Sequence, residues 1–102
     1  MDRRLNLQKR LEEVPKVRKV YFQPPENLKM EYPCIRYYRV RPSTDKADDM
    51  TYRFTQCYEL IVIDSDPDSQ IARYIVENFQ MAEMNTTYAS NNLYHTSITL
   101  YF

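Results

Sequence analysis

Asp64, Asp66 and Asp68 stand at alternate positions directly after the aliphatic run Leu60-Ile61-Val62-Ile63. Acids at the end of an apolar strand can hold a cation or begin a phosphoryl transfer. A calcium-loop reading fails here: the required glycine is absent, Pro67 occupies the loop, and the twelfth position from Asp64 is Ile75 where a glutamate is needed. Phosphoryl transfer through Asp64, with Asp66 as the acid, needs a parallel sheet and partner residues that a chain this short does not supply. Helix capping by Asp66, with Pro67 at the first helical position and Asp68 near the positive helix end, is the physical account that fits. His95 is the only histidine and Ser97 follows it on the same strand face. Without a local acid or an oxyanion-hole glycine the pair makes no triad, and His95 reads as a surface or interface residue. Cys34 and Cys57 lack metal spacing and read as two buried free thiols, with a disulfide between paired strands as the alternative. Asn85-Thr86-Thr87 matches a glycosylation acceptor, which has no meaning in a chain that is not secreted. No catalytic, cofactor or metal residue is therefore assigned, and enzyme activity is not expected.

The composition narrows the remaining classes. The chain has 102 residues, enough for one core between two layers. Glycine is absent, which excludes the dinucleotide fingerprint and the P-loop, because both need close backbone approach. Formal net charge is zero, so a general nucleic-acid surface is not expected, yet the charge is uneven. Residues 1–40 carry ten Lys/Arg against five Asp/Glu, and the remainder four against nine. That polarity suits head-to-tail contact between copies as well as it suits two solvated faces of opposite sign. Ten tyrosines and no tryptophan fit a contact surface better than an ordinary aromatic core. The start Met1-Asp2-Arg3-Arg4 lacks a signal peptide's apolar segment and no run is long enough to span a membrane, so a cytoplasmic, soluble chain is expected.

The elements that position these residues are organised around 52–79. Tyr52, Phe54, Tyr58, Leu60 and Val62 share one strand parity, and the four aliphatics at 60–63 predict cover on both faces. A helix over 67–79 follows, with Ile71, Tyr74, Ile75 and Phe79 as its apolar stripe. Upstream, 2–14 reads as a helix with Leu7, Leu11 and Val14 on its apolar edge. Its charges oppose the helix dipole, so packing or an oppositely charged partner must hold it. Short strands follow at 17–22 and 34–40, joined through Gln23-Pro24-Pro25 and a connector. Residues 41–51 read as a mobile loop closing an antiparallel hairpin onto the long strand. Residues 80–92 read as a polar connector, and 93–102 as a last strand alternating Tyr94, Thr96, Ile98, Leu100 and Phe102 with His95, Ser97, Thr99 and Tyr101. The order α-β-β-β-α-β gives an α+β domain over 1–102: two layers, a four-stranded, mainly antiparallel sheet, and two helices on one face.

Several blocks resemble small tail-completion proteins of long-tailed bacteriophages. They are Val20-Tyr21-Phe22-Gln23-Pro24-Pro25-Glu26-Asn27, then Lys29-Met30 and Tyr32-Pro33-Cys34-Ile35. Asp48 and Tyr52, Val62-Ile63-Asp64, Asp66-Pro67-Asp68-Ser69, Asn92-Leu93 and Leu100-Tyr101-Phe102 complete the pattern, which spans nearly the whole chain. The resemblance implies a tail terminator or head–tail joining protein with this α/β element order. It implies a six-fold ring at the head-proximal end of the tail tube that stops tube polymerisation and meets the neck or connector. The implied partners are copies of the chain, the major tail tube protein and the head connector, with no membrane, no cofactor and nucleic acid at most passing through the ring lumen. The implied location is the virion's tail–neck junction, reached from the host cytoplasm.

The residues also suggest where contacts lie. Asp45, Lys46, Asp48 and Asp49, with Tyr52 beside them, are expected to reach a neighbour or the tube. Arg3, Arg4 and Arg10 on the first helix are expected to face an acidic patch of the next copy, and exposed strand edges to pair between subunits. The rival binding class is stacking of single-stranded nucleic acid on Tyr37, Tyr38, Tyr52, Phe54 and Tyr58, with Arg36, Arg39, Arg41 and Arg53 nearby. The element order and the missing glycine-aromatic signature do not match the RNA-recognition module.

Overall fold

Leu60 sits at the centre of the sheet, opposite Tyr37 on one neighbouring strand and Ile98 on the other, and all three are buried. The computed structural model describes residues 3–40 and 56–102. The described elements are α1 (Arg3–Glu12), β1 (Lys19–Phe22), β2 (Cys34–Arg39), β3 (Cys57–Asp64), α2 (Gln70–Asn78), β4 (Ala82–Ser90) and β5 (Leu93–Tyr101). The fold is α+β, with one sheet in the order β1-β2-β3-β5-β4. Along β3, Tyr58, Leu60 and Val62 join one core cluster with Ile35 and Tyr37 of β2 and with Ile98 and Leu100 of β5. Leu7 and Leu11 of α1 and Ile71, Ala72 and Ile75 of α2 enter the same cluster. These sheet residues share one parity, so both helices pack against one side.

Two features correct the expected fold. The sheet has five strands rather than four, because β4 occupies most of the stretch read as a polar connector. β4 gives no periodic signal because it is exposed along nearly its whole length, and only Ala82 at its start packs against the core. Its hairpin with β5 turns at Asn91-Asn92, both of which have positive φ, 54° and 64°. That is the requirement of a tight hairpin turn, and asparagine tolerates it in a chain without glycine. Secondly, the sheet is mixed: β1 lies parallel to β2, while the other pairs are antiparallel. The exit from β1 is not extended as expected: Gln23 has a positive φ of 45° and turns the chain before Pro24-Pro25, and residues 23–33 bring it back for a second pass in the same direction.

The helix boundaries shift for local reasons. α2 begins at Gln70 rather than at Pro67, and Asp66 does not cap it. Instead Asp64 Oδ1 accepts from the Asp66 N–H at 3.1 Å and Asp66 Oδ1 accepts from the Asp68 N–H at 2.9 Å. Ser69 Oγ donates to Asp64 Oδ2 at 3.0 Å. These carboxylates order the loop by local side-chain-to-backbone bonds. Within α2, Ile71, Ile75 and the following Phe79 are buried, while Tyr74 of the expected stripe is exposed. α1 is held by packing within the chain: Leu7, Leu11 and the following Val14 are buried, and the Tyr37 hydroxyl donates to Gln8 Oε1 at 2.6 Å. Lys9 and Arg10 in its last turn offset the unfavourable placement of Glu12.

Both cysteines are buried thiols, neither in a disulfide. Burial pushes the Cys34 thiol from 9.0 up to about 11, with Arg36 pulling the other way. The folded value lies above the unfolded one, so the neutral thiol's contribution is complete below about pH 9 and is lost as the pH rises through about 11. Urea denaturation from about pH 8 to 11 is expected to show a steeper loss of stability in the wild type than in Cys34→Ala.

Candidate interaction surface

The side of the sheet away from α1 and α2 carries the opposite parity, and the strand register arranges it in rows. One row is Cys34, Ile63, His95 and Tyr88; the next is Arg36, Ile61, Ser97 and Thr86; the third is Tyr38, Glu59, Thr99 and Glu83. Ser97 Oγ donates to Glu59 Oε2 at 3.1 Å, and Asn85 Nδ2 donates to Thr99 Oγ1 at 2.7 Å. The His95 and Tyr88 rings stack at 4.8 Å with an interplanar angle of 8°. Two buried nitrogens on this face, Arg36 Nε and His95 Nδ1, have no hydrogen-bond partner among the described residues. Apart from Ile61 and the buried Cys34 and Ile63, the face is thus a ladder of polar and aromatic groups.

The exposed large apolar groups of the sheet lie instead on its edge. Met84 and Tyr88, on opposite faces of β4, are 45% and 49% exposed. β4 runs for nine residues, contains neither Lys nor Pro, and has Glu83 as its one charge. Lysine, proline and short length are the usual devices that stop an edge strand from pairing with another chain. β4 has only a register irregularity between Met84 and Thr86. Residues 86–90 beyond it pair regularly with β5.

The other end of the sheet is basic. The Arg4 guanidinium lies 4.5 Å from the Phe22 ring centroid and that of Arg39 lies 5.2 Å from it. Arg4 Nη1 also donates to the Tyr37 hydroxyl at 3.5 Å. Burial raises the Tyr37 hydroxyl above the ordinary phenol range, and Arg4 opposes that rise. Arg10 lies 4.2 Å from the Phe79 ring and 5.5 Å from that of Phe102, and its Nη2 donates to the Asn78 carbonyl at 3.3 Å. Of the residues expected to reach a partner, Arg4 and Arg10 are therefore engaged within the chain, and Arg3 lies in the first turn of α1. Asp45, Lys46, Asp48, Asp49 and Tyr52 lie outside the described residues. Of the rings offered for stacking nucleic acid, Tyr37 and Tyr58 are in the core, 5.9 Å apart, and cannot receive a base.

The functional candidate that the sequence reading missed is β4. The signal that could have found it is the Asn91-Asn92 pair between a Thr-rich run and an alternating one. Among the described residues no group of three or more His, Cys, Asp or Glu is placed to hold a metal ion, and no helix is long and apolar enough to cross a membrane. Comparison with protein-family models, with curated proteins and with solved structures finds no match.

Proposed function

We propose that this chain is a structural protein of a long-tailed bacteriophage virion that forms a ring at the head-proximal end of the tail tube. The ring stops tube polymerisation and offers the junction to the head connector. Its partners are further copies of the chain, the major tail tube protein and the connector or neck proteins. The observation that carries this reading is β4, among the described residues a long edge strand exposed from Glu83 to Ser90 and without the Lys or Pro that keep an edge solitary. The sequence blocks from Val20 to Asn27 and from Asp66 to Ser69 support the same class by resemblance. The loop acids are tied to backbone and hydroxyl donors, which agrees with a structural role for them.

The test is reconstitution on tail tubes grown without this protein. Negative-stain microscopy is expected to show one ring at one end of each tube, and capped tubes are expected not to elongate when more tube protein is added. Bare tubes that keep growing in the presence of the chain would sink the proposal. Salt-sensitive binding to single-stranded oligonucleotides, with no effect on tubes, would favour the nucleic-acid module instead.

A further inference from the structure

We infer that successive copies join by strand addition, the free edge of β4 in one copy lying against the free edge of β1 in the next. This deepens the ring reading and rests on it. The hydrogen-bond alternation of the sheet identifies the groups involved. Gln56 and Phe102 exchange backbone bonds, and the Tyr101 N–H donates to the Met81 carbonyl at 3.0 Å. Even-numbered residues of β5 therefore bond toward β3 and odd-numbered ones toward β4. By the β4–β5 register, Thr86, Tyr88 and Ser90 are the bonded positions of β4. Thr87 and Ala89 consequently turn their N–H and C=O groups to the free edge.

β1 offers the matching edge. Gln23 donates its N–H to the Tyr37 carbonyl at 2.9 Å, so the odd positions of β1 bond toward β2 and Val20 and Phe22 face outward. Among the described residues the outward Val20 carbonyl accepts one long bond, 3.3 Å, from Gln8 Nε2. A groove of about 450 Å³ runs along this edge, lined by Glu12, Val17, Arg18, Lys19, Val20 and Tyr21. β1 spans four residues and the regular part of β4 spans residues 86–90, so the two edges are of similar length.

Charge selects this pairing over β4 against β4. Lys16 and Arg18 precede β1 and Lys19 opens it, and Arg18 keeps an exposed ion pair with Glu31 at 3.2 Å. Residues 74–102 contain no Lys or Arg and carry Glu77 and Glu83. An unlike pairing of this kind is heterologous, which is the type of contact that closes into rings; a like pairing stops at two copies. Backbone bonds supply the attachment, and the charge difference fixes which edge meets which.

The experiment measures association of the full chain by light scattering over a concentration series. The wild type is expected to pass from monomer to species larger than two copies. Thr87→Pro removes one outward N–H without touching a β4–β5 backbone bond, though it loses the 3.3 Å contact between the Thr87 and Thr96 hydroxyls, and is expected to raise the half-association concentration about tenfold or more with an unchanged far-ultraviolet spectrum. Lys19→Glu, an exposed change on the opposite edge, is expected to raise it as well, and serves where the proline variant does not fold. A wild type that stays monomeric or stops at a dimer overturns the inference, as does Lys19→Glu with unaltered association. Rings of the Thr87→Pro variant on tail tubes would overturn this interface while leaving the ring reading intact. Absence of rings from the wild type would overturn both.

Discussion

Leu60→Ala is expected to lower the stability of the domain by about 2–5 kcal/mol, the largest effect of any single truncation considered for this chain. Leu60 is fully buried and lies in register with Tyr37 and Ile98, so the atoms lost leave a cavity walled on both sides by fixed strands. Neighbours on a sheet relax less than those in a loop, which keeps the cavity open and adds its cost to the lost transfer energy. For a domain of this size the melting temperature should fall by on the order of 10–20 °C. The adjacent Ile61 provides the control, because it lies on the side of the sheet away from α1 and α2 and is only half-buried. Ile61→Ala should therefore cost about 1 kcal/mol. Thermal melts of the two variants check the assignment of faces: equal losses would mean that the parity of β3 has been misplaced.

The second large effect is expected at the β4–β5 turn. Asn91 and Asn92 both have positive φ, where a β-branched side chain is costly. Left-handed backbone costs an ordinary residue about 1–2 kcal/mol, so Asn91→Val with Asn92→Val should destabilise the hairpin by about 2–4 kcal/mol. Only part of this need appear as global unfolding. β5 retains its full pairing with β3 when β4 detaches, so the hairpin can open locally. Asn92→Gly should act in the opposite sense, by a few tenths of a kcal/mol, since glycine meets the same φ without strain. Denaturation midpoints together with protease cleavage within residues 82–90 distinguish the two changes. A double-valine variant as stable and as resistant as the wild type would show that the turn does not hold β4 in place.

The parts of this fold that were legible in the sequence are those with one wet and one dry face. Leu7 and Leu11 mark α1, the alternation through Tyr58, Leu60 and Val62 marks β3, and Ile98 with Leu100 marks β5, because each buries one periodic set. β4 was not legible, because an edge strand exposed at every residue after Ala82 has no dry face to set a period. The parallel pairing of β1 was hidden for a different reason. Val20 and Phe22 pack against the core whichever way the strand runs, and direction is decided by the route of residues 23–33. At the candidate surface, charge alone drew attention to Arg4 and Arg10, yet their planar cations lie over Phe22 and Phe79 within the same chain. Side-chain type identified groups able to meet a partner; only their neighbours in space reveal that some are already engaged.

The direct test of the account is backbone amide exchange at Thr87 and Ala89, measured in the isolated chain and again after assembly on tail tubes. Both amides face the free edge and should exchange quickly in the isolated chain. After assembly they should slow by about tenfold or more as the next copy's β1 takes up those bonds, while Thr86 and Tyr88, already bonded to β5, change far less. Equal exchange at Thr87 and Ala89 in the free and assembled states would contradict the claim that β4 is the strand through which this protein joins its neighbour.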